Sequence, residues 1–225
     1  MMARRGVMGV LAGAAVAVLG GCGVLGERSY RFRMTVEAET PGGIKSGSSV
    51  LEVSARRQPA LTSEARPMLI GLRGEAVTVE MPSGPVFALL KLEDGKLNTL
   101  EEAVTYALEP DIEPGGWEPF WRAMGELGGW FGGAQGDLPR ESWPLMVRFR
   151  DIGDPKSVER VDPEAIGVKR IVVETTSDDV TSGIGKYLTW MGKFPESRLD
   201  RDYRGSANPS IAQRLSNGDF RQGTV

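Results

Sequence analysis

The sequence predicts an α+β fold: a single domain on a largely antiparallel β-sheet, with two or three helices and a disordered C-terminal tail. Three observations carry this expectation. Several segments alternate apolar and polar residues with a period of two, as half-buried strands do. Two segments, beginning near Thr99 and Pro119, repeat apolar residues at helical spacing instead. The order is strands, then helices, then strands, which favours segregated helices on an antiparallel sheet over a doubly wound parallel one.

In chain order, "SYRFRMTVEAE" sets Tyr30, Phe32, Met34, Val36 and Ala38 on one face and Arg31, Arg33, Thr35, Glu37 and Glu39 on the other. It reads as a half-buried strand. "TPGGIKSG" supplies turn chemistry, and "SSVLEVSA" resumes as a strand with Leu51 and Val53 on one face, which suggests a hairpin with a longer loop. Residues 56–67, "RRQPALTSEARP", read as a polar, proline-bounded excursion. "EAVTVEMP" alternates through Val77, Val79 and Met81, and after a Pro82–Pro85 turn "VFALLKL" is apolar enough for a central strand. Thr99 with Glu102 resembles a capping box, followed by Leu100, Ala103, Val104, Ala107 and Leu108 at helical spacing until Pro110. Pro119 suits a first helical turn, with Phe120, Trp121, Met124 and Leu127 on one face. "WPLMVRFRDI" and "KRIVVETT" return to strand, and "SGIGKYLTWM" suggests a short final helix. The last residues, 196–225, are polar and read as disordered.

Composition narrows the chemistry. The 225 residues contain no histidine and one cysteine. Triads built on histidine, imidazole metal sites and intramolecular disulfides are therefore excluded. No cofactor is expected. The formal charge of −3 gives no reason to expect nucleic acid.

The single cysteine sits in a telling place. Arg4 and Arg5 precede an apolar run from Val7 to Leu19, the composition of a secretory signal peptide. Such a run is too short and glycine-rich for a spanning helix. Leu19-Gly20-Gly21-Cys22 resembles the lipobox of bacterial lipoproteins: an aliphatic residue, two small residues and the cysteine that receives lipid. Gly20 departs from the commoner Ala or Ser. The resemblance implies that residues 1–21 are removed, that Cys22 carries acyl chains, and that residues 22–28 tether a domain spanning 29–195. Gly23 rather than Asp after the cysteine implies the outer membrane of a Gram-negative cell, with display to the periplasm. Loss of the two leader arginines leaves the mature chain at −5.

Four further constellations bear on function. "SGIGKYL" lacks the first glycine of a phosphate loop, and Tyr187 stands where Ser or Thr belongs. Asp151 and Asp154 could form a carboxylate pair for glycan hydrolysis. Asp154-Pro155 and Asp162-Pro163 are also turn initiators, which explains the same residues more simply. Trp117, Trp121 and Trp130, with Phe120 and Phe131, lie between glycine pairs. Trp121 and Met124 fit a core-facing helix, whereas Trp117, Trp130 and Phe131 are candidates for partner or ligand contact. The arginine pairs 31/33 and 148/150 lie on polar strand faces, where cross-strand ion pairs would occupy them.

The stretches "RFRDIGDPKSVERVDP" and "RIVVETTSDDVTSGI" resemble a group of Gram-negative bacterial proteins without an assigned activity, over about residues 30–195. That resemblance implies one domain in the envelope and brings no catalytic residue with it. The functional expectation is a membrane-anchored lipoprotein whose domain binds an envelope protein or glycan without catalysis. The alternatives are a carboxylate-based cell-wall glycan hydrolase or lyase, and a carrier of lipid or small molecules.

Overall fold

The computed structural model describes residues 26–58, 67–93, 99–129, 133–192, 197–200 and 207–223. The architecture is α+β and mostly β, with two antiparallel sheets where the sequence suggested one. The first strand, β1 (Glu27–Thr40), pairs along its whole length with β2 (Gly43–Arg57). Strand structure therefore begins inside the expected tether, at Glu27. Thr40 lies opposite Gly43, so the hairpin closes through Pro41 and Gly42 rather than through a longer loop. Gly43 has a φ of 102°, a conformation that strongly favours glycine.

β3 (Met68–Glu75) pairs with β2, and β4 (Val77–Met81) and β5 (Gly84–Leu92) form a second hairpin. Two helices follow, α1 (Leu100–Leu108) and α2 (Trp117–Leu127). Then come β6 (Gln135–Asp137), β7 (Pro144–Phe149), β8 (Val158–Arg160) and β9 (Val168–Thr175). The chain ends with a short helix, α3 (Ile211–Arg214), and β10 (Arg221–Gln222). The larger sheet has the order β10-β3-β2-β1-β9-β6, and the smaller one β4-β5-β7-β8.

Alternation along β1 decides how the sheets stack. Phe32, Met34 and Val36 are fully buried and meet Val79, Val86 and Ala88 of the smaller sheet in one core with α1 and α2. The opposite face of the larger sheet is an ion-pair ladder. Arg31 bonds Glu52 at 3.1 Å, Arg33 meets Glu174 at 3.2 Å, and Arg170 reaches Glu37 at 2.8 Å. Arg148 and Arg150 likewise share Glu159. The arginine pairs are thus held across strands, each exposed pair contributing at most about 1 kcal/mol.

The smaller sheet is buried on both faces. Its second face presents Phe87, Leu89, Leu145 and Val147 to Ile184, Leu188, Leu199, Ala212, Leu215 and Phe220. This corrects the expected disordered tail: the described residues of 196–225 form a covering layer. Sparse apolar anchors suffice there because nearly every one is buried. The expected final helix over 182–191 is also corrected. Only a 3-10 turn, Ile184–Lys186, forms between Gly183, whose φ is 136°, and Tyr187.

Helix α1 begins as its sequence suggests. The Thr99 hydroxyl accepts from the Glu102 amide at 3.3 Å, and the Glu102 carboxylate accepts from the Thr99 amide at 3.1 Å. Thr99→Ala removes one half of this reciprocal cap and should cost about 1 kcal/mol, read from the midpoint of a urea titration. An unchanged midpoint would mean that the cap contributes nothing beyond water.

Candidate functional site

Helix α2 lies against the first residues of β1, and its two ends build two adjacent features. At its N-terminus, the indole of Trp121 is buried between two guanidinium groups. Arg28 lies 4.5 Å and Arg57 4.6 Å from the ring centre. Arg28 also donates to the Trp121 carbonyl. Gly26 passes so close that a β-carbon there would lie 3.3 Å from the same ring. Arg57 extends the stack to Trp117, 5.1 Å from its ring centre, and pairs with Glu118 at 3.0 Å. Each arginine here rests on a π face that favours the cation electrostatically.

At the C-terminal end of α2 the chain opens into a cleft of about 520 Å³. Its floor is Ser29, Tyr30 and Arg31. One wall is Leu127–Gly129, and the other is Thr175, Thr176 and Ser177 beyond the end of β9. The cleft exists because β1 outruns its neighbour. The Thr176 amide still bonds to the Arg31 carbonyl at 3.0 Å, but β9 pairing stops at Phe32 opposite Thr175. Ser29, two residues before Arg31, turns its main-chain groups toward the same side, where no strand continues. Gly128 keeps that approach narrow, since a β-carbon on it would come within 3.0 Å of the Ser29 carbonyl.

Beneath the cleft, Tyr30 fixes α1 to the sheet. Its phenol lies 2.8 Å from the Thr105 hydroxyl. That hydroxyl donates to the Glu101 carbonyl at 2.7 Å, so Tyr30 donates to Thr105. Burial pushes the phenol far above its ordinary range, and the bond to Thr105 offsets only part of that effect. Tyr30 is therefore a neutral anchor for the cleft floor rather than an acid or base. The one hydroxyl-lined wall and the strand edge suit an extended polar chain, which offers both backbone-like and hydroxyl partners.

The residues singled out in the sequence fall in different places. Trp117 is 40 % exposed at the start of α2, while Trp121 and Met124 are core. Cys22, Trp130 and Phe131 lie outside the described residues, although Trp130 directly follows the cleft residue Gly129 in the chain. Asp151 and Asp154 both serve their own loop. Asp151 accepts from the Gly153 amide and Asp154 from the Lys156 amide, each at 2.9 Å. Both carboxylates are exposed and occupied as turn caps. The sequence marks Arg57 only as half of the recurring pair Arg56/Arg57, and it does not mark Arg28 or the Ser/Thr rim, because residues distant in the chain are joined only by the pairing of β1 with β2 and β9. The repeated arginine pairs and the "ETTS" at the end of β9 were the only signals.

Among the described residues, no group of three or more His, Cys, Asp or Glu side chains could hold a metal ion. No helix among them is long and apolar enough to cross a membrane. Comparison with protein-family profiles, with curated proteins and with solved structures finds no match.

Proposed function

We propose that this chain is an envelope lipoprotein, anchored through acyl chains on Cys22, whose domain is a non-catalytic binding module. In this reading the anchor holds it at the outer membrane, facing the periplasm, and its partner is an envelope protein or glycan. The observation that carries the reading is the cleft between α2 and β1: hydroxyl-rich, open to an extended chain, and continuous in sequence with Trp130 and Phe131. Tryptophan and phenylalanine are among the residues that anchor binding interfaces. The order of arginines, apolar run and Leu19-Gly20-Gly21-Cys22 supports the anchor. Anchoring also raises the effective concentration of the cleft at the membrane, so modest affinity is enough.

Two measurements test the two halves. Cys22→Ser should move the protein from the membrane fraction to the soluble one and abolish acyl labelling; retention with persistent label removes the anchor. In-envelope crosslinking should capture a stoichiometric partner with the wild type and lose it in Trp130→Ala/Phe131→Ala. A capture pattern identical in both, or no partner at all, removes the binding module.

A further inference from the structure

The two-fold feature of α2 leaves one end of the larger sheet with an unusual surface. The start of β1, the end of β2 and the start of β3 meet there: Glu27 lies opposite Arg56, and Arg56 opposite Leu69. Three of the six large apolar side chains exposed among the described residues lie at this end: Leu69 at 46 % beside Arg56 on the outer face of the sheet, and on the opposite face Ile70 at 37 % and Trp117 at 40 %, the latter under Arg57. Arg28, Arg56 and Arg57 stand among them against Glu27 and Glu118, on a chain that is acidic as a whole. Tryptophan settles at a membrane–water interface, and arginine reaches it with its charged head while its stem covers apolar surface.

Chain length selects this end and no other. Cys22 and Gly26 are separated by four residue steps, which span at most about 14 Å when fully extended. β1 runs 14 residues to Thr40, a length of about 45 Å at roughly 3.3 Å per residue. The ion-pair ladder and the far hairpin therefore stand away from any bilayer that holds Cys22, while Gly26 is tied to this end by its carbonyl, which accepts from the Arg57 amide at 3.2 Å.

We propose that this end, formed by Trp117, Leu69, Ile70, Arg56 and Arg57, rests in the headgroup layer of an anionic phospholipid bilayer and sets how the domain stands on the membrane. The proposal rests on the anchor at Cys22. With this end seated, the cleft floor at Ser29 lies three residues from Gly26 and opens beside the membrane surface, so the bound partner must reach that surface too.

Because Cys22 is the only thiol, it can be coupled to a maleimide lipid without any cellular processing. Residues 22–225, which contain every described residue, are coupled in this way to phosphatidylethanolamine/phosphatidylglycerol vesicles. Tryptophan emission is then compared with and without phosphatidylcholine spin-labelled at the headgroup. The expected result is quenching in the wild type that Trp117→Phe removes and Leu69→Ser, an exposed change that leaves the core intact, reduces. No quenching, or quenching unaltered by either substitution, overturns the proposal. The cellular fractionation of Cys22→Ser is read separately: vesicle quenching with unchanged fractionation sinks the natural anchor and leaves the interfacial face standing, and the reverse pattern sinks the face alone.

Discussion

Phe220→Ala is expected to lower the free energy of unfolding by about 3–5 kcal/mol in a denaturant titration. The ring is fully buried on the second face of the smaller sheet, 6.1 Å from Phe87 edge-on and 5.9 Å from Phe149. Trp190 closes the cluster at 6.3 Å. Removing one ring from the middle of such a group leaves a cavity that the three neighbouring aromatics cannot all fill, and it also discards the edge-to-face contacts. A small domain has only about 5–15 kcal/mol in total, so the variant should be near its threshold at body temperature. A cost below about 1 kcal/mol would mean that the C-terminal segment does not cover the sheet in solution.

Glu75→Ala should be nearly as damaging, at about 3 kcal/mol or more, and Glu75→Gln should recover much of the loss. Glu75 is buried at the end of β3, where its carboxylate accepts from the Ile184 amide at 2.7 Å and faces Arg221 at 4.0 Å. Its main-chain carbonyl accepts from Ser49 at 2.7 Å. One side chain thus ties β3 to the 3-10 turn and to β10. Alanine leaves a buried amide without an acceptor and an arginine without its counter-charge, whereas glutamine still offers a carbonyl to Ile184. Equal losses for the two variants would assign the effect to charge alone; no loss in either would remove Glu75 as a tie.

The legible part of this fold is the part whose burial is one-sided. β1 alternates because one face meets the core and the other meets water, and Thr99 with Glu102 announces α1 because capping is local chemistry. β3 was missed: Gly71 and Gly74 interrupt its pattern, Leu69 and Ile70 are both exposed, and its strand geometry is imposed by the register with β2. β6 and β8, three residues each, are too short for any period to register. The covering layer had an indirect signal. "VFALL" in β5 is buried without a break, so something had to lie on each side of it. A polar composition hid that cover, since Leu199, Ala212, Leu215 and Phe220 are few but all buried.

At the candidate site the sequence drew attention to α2, while Trp130 and Phe131 lie outside the described residues and Asp151 and Asp154 serve as turn caps. The tryptophan group marked α2, yet what surrounds it comes from β1, β2 and the end of β9. Asp151 and Asp154 drew notice as a pair because they are close in the chain, and their closeness is that of a turn. Proximity along a sequence favours local bonds first, and only strand pairing creates the remote neighbours from which the cleft is made.

The placement of β1 between β2 and β9 has a consequence for how the protein comes into being. The first strand to leave a ribosome or a translocation pore can form a hairpin with β2 at once, but its other edge must wait until residue 168 and beyond. The smaller sheet waits longer still, for Leu215 and Phe220 near the end of the chain. Contacts this distant make folding slow and leave intermediates with open strand edges. Completion of both sheets therefore depends on residues late in the sequence: until Leu199 to Phe220 are available, the smaller sheet keeps a bare apolar face.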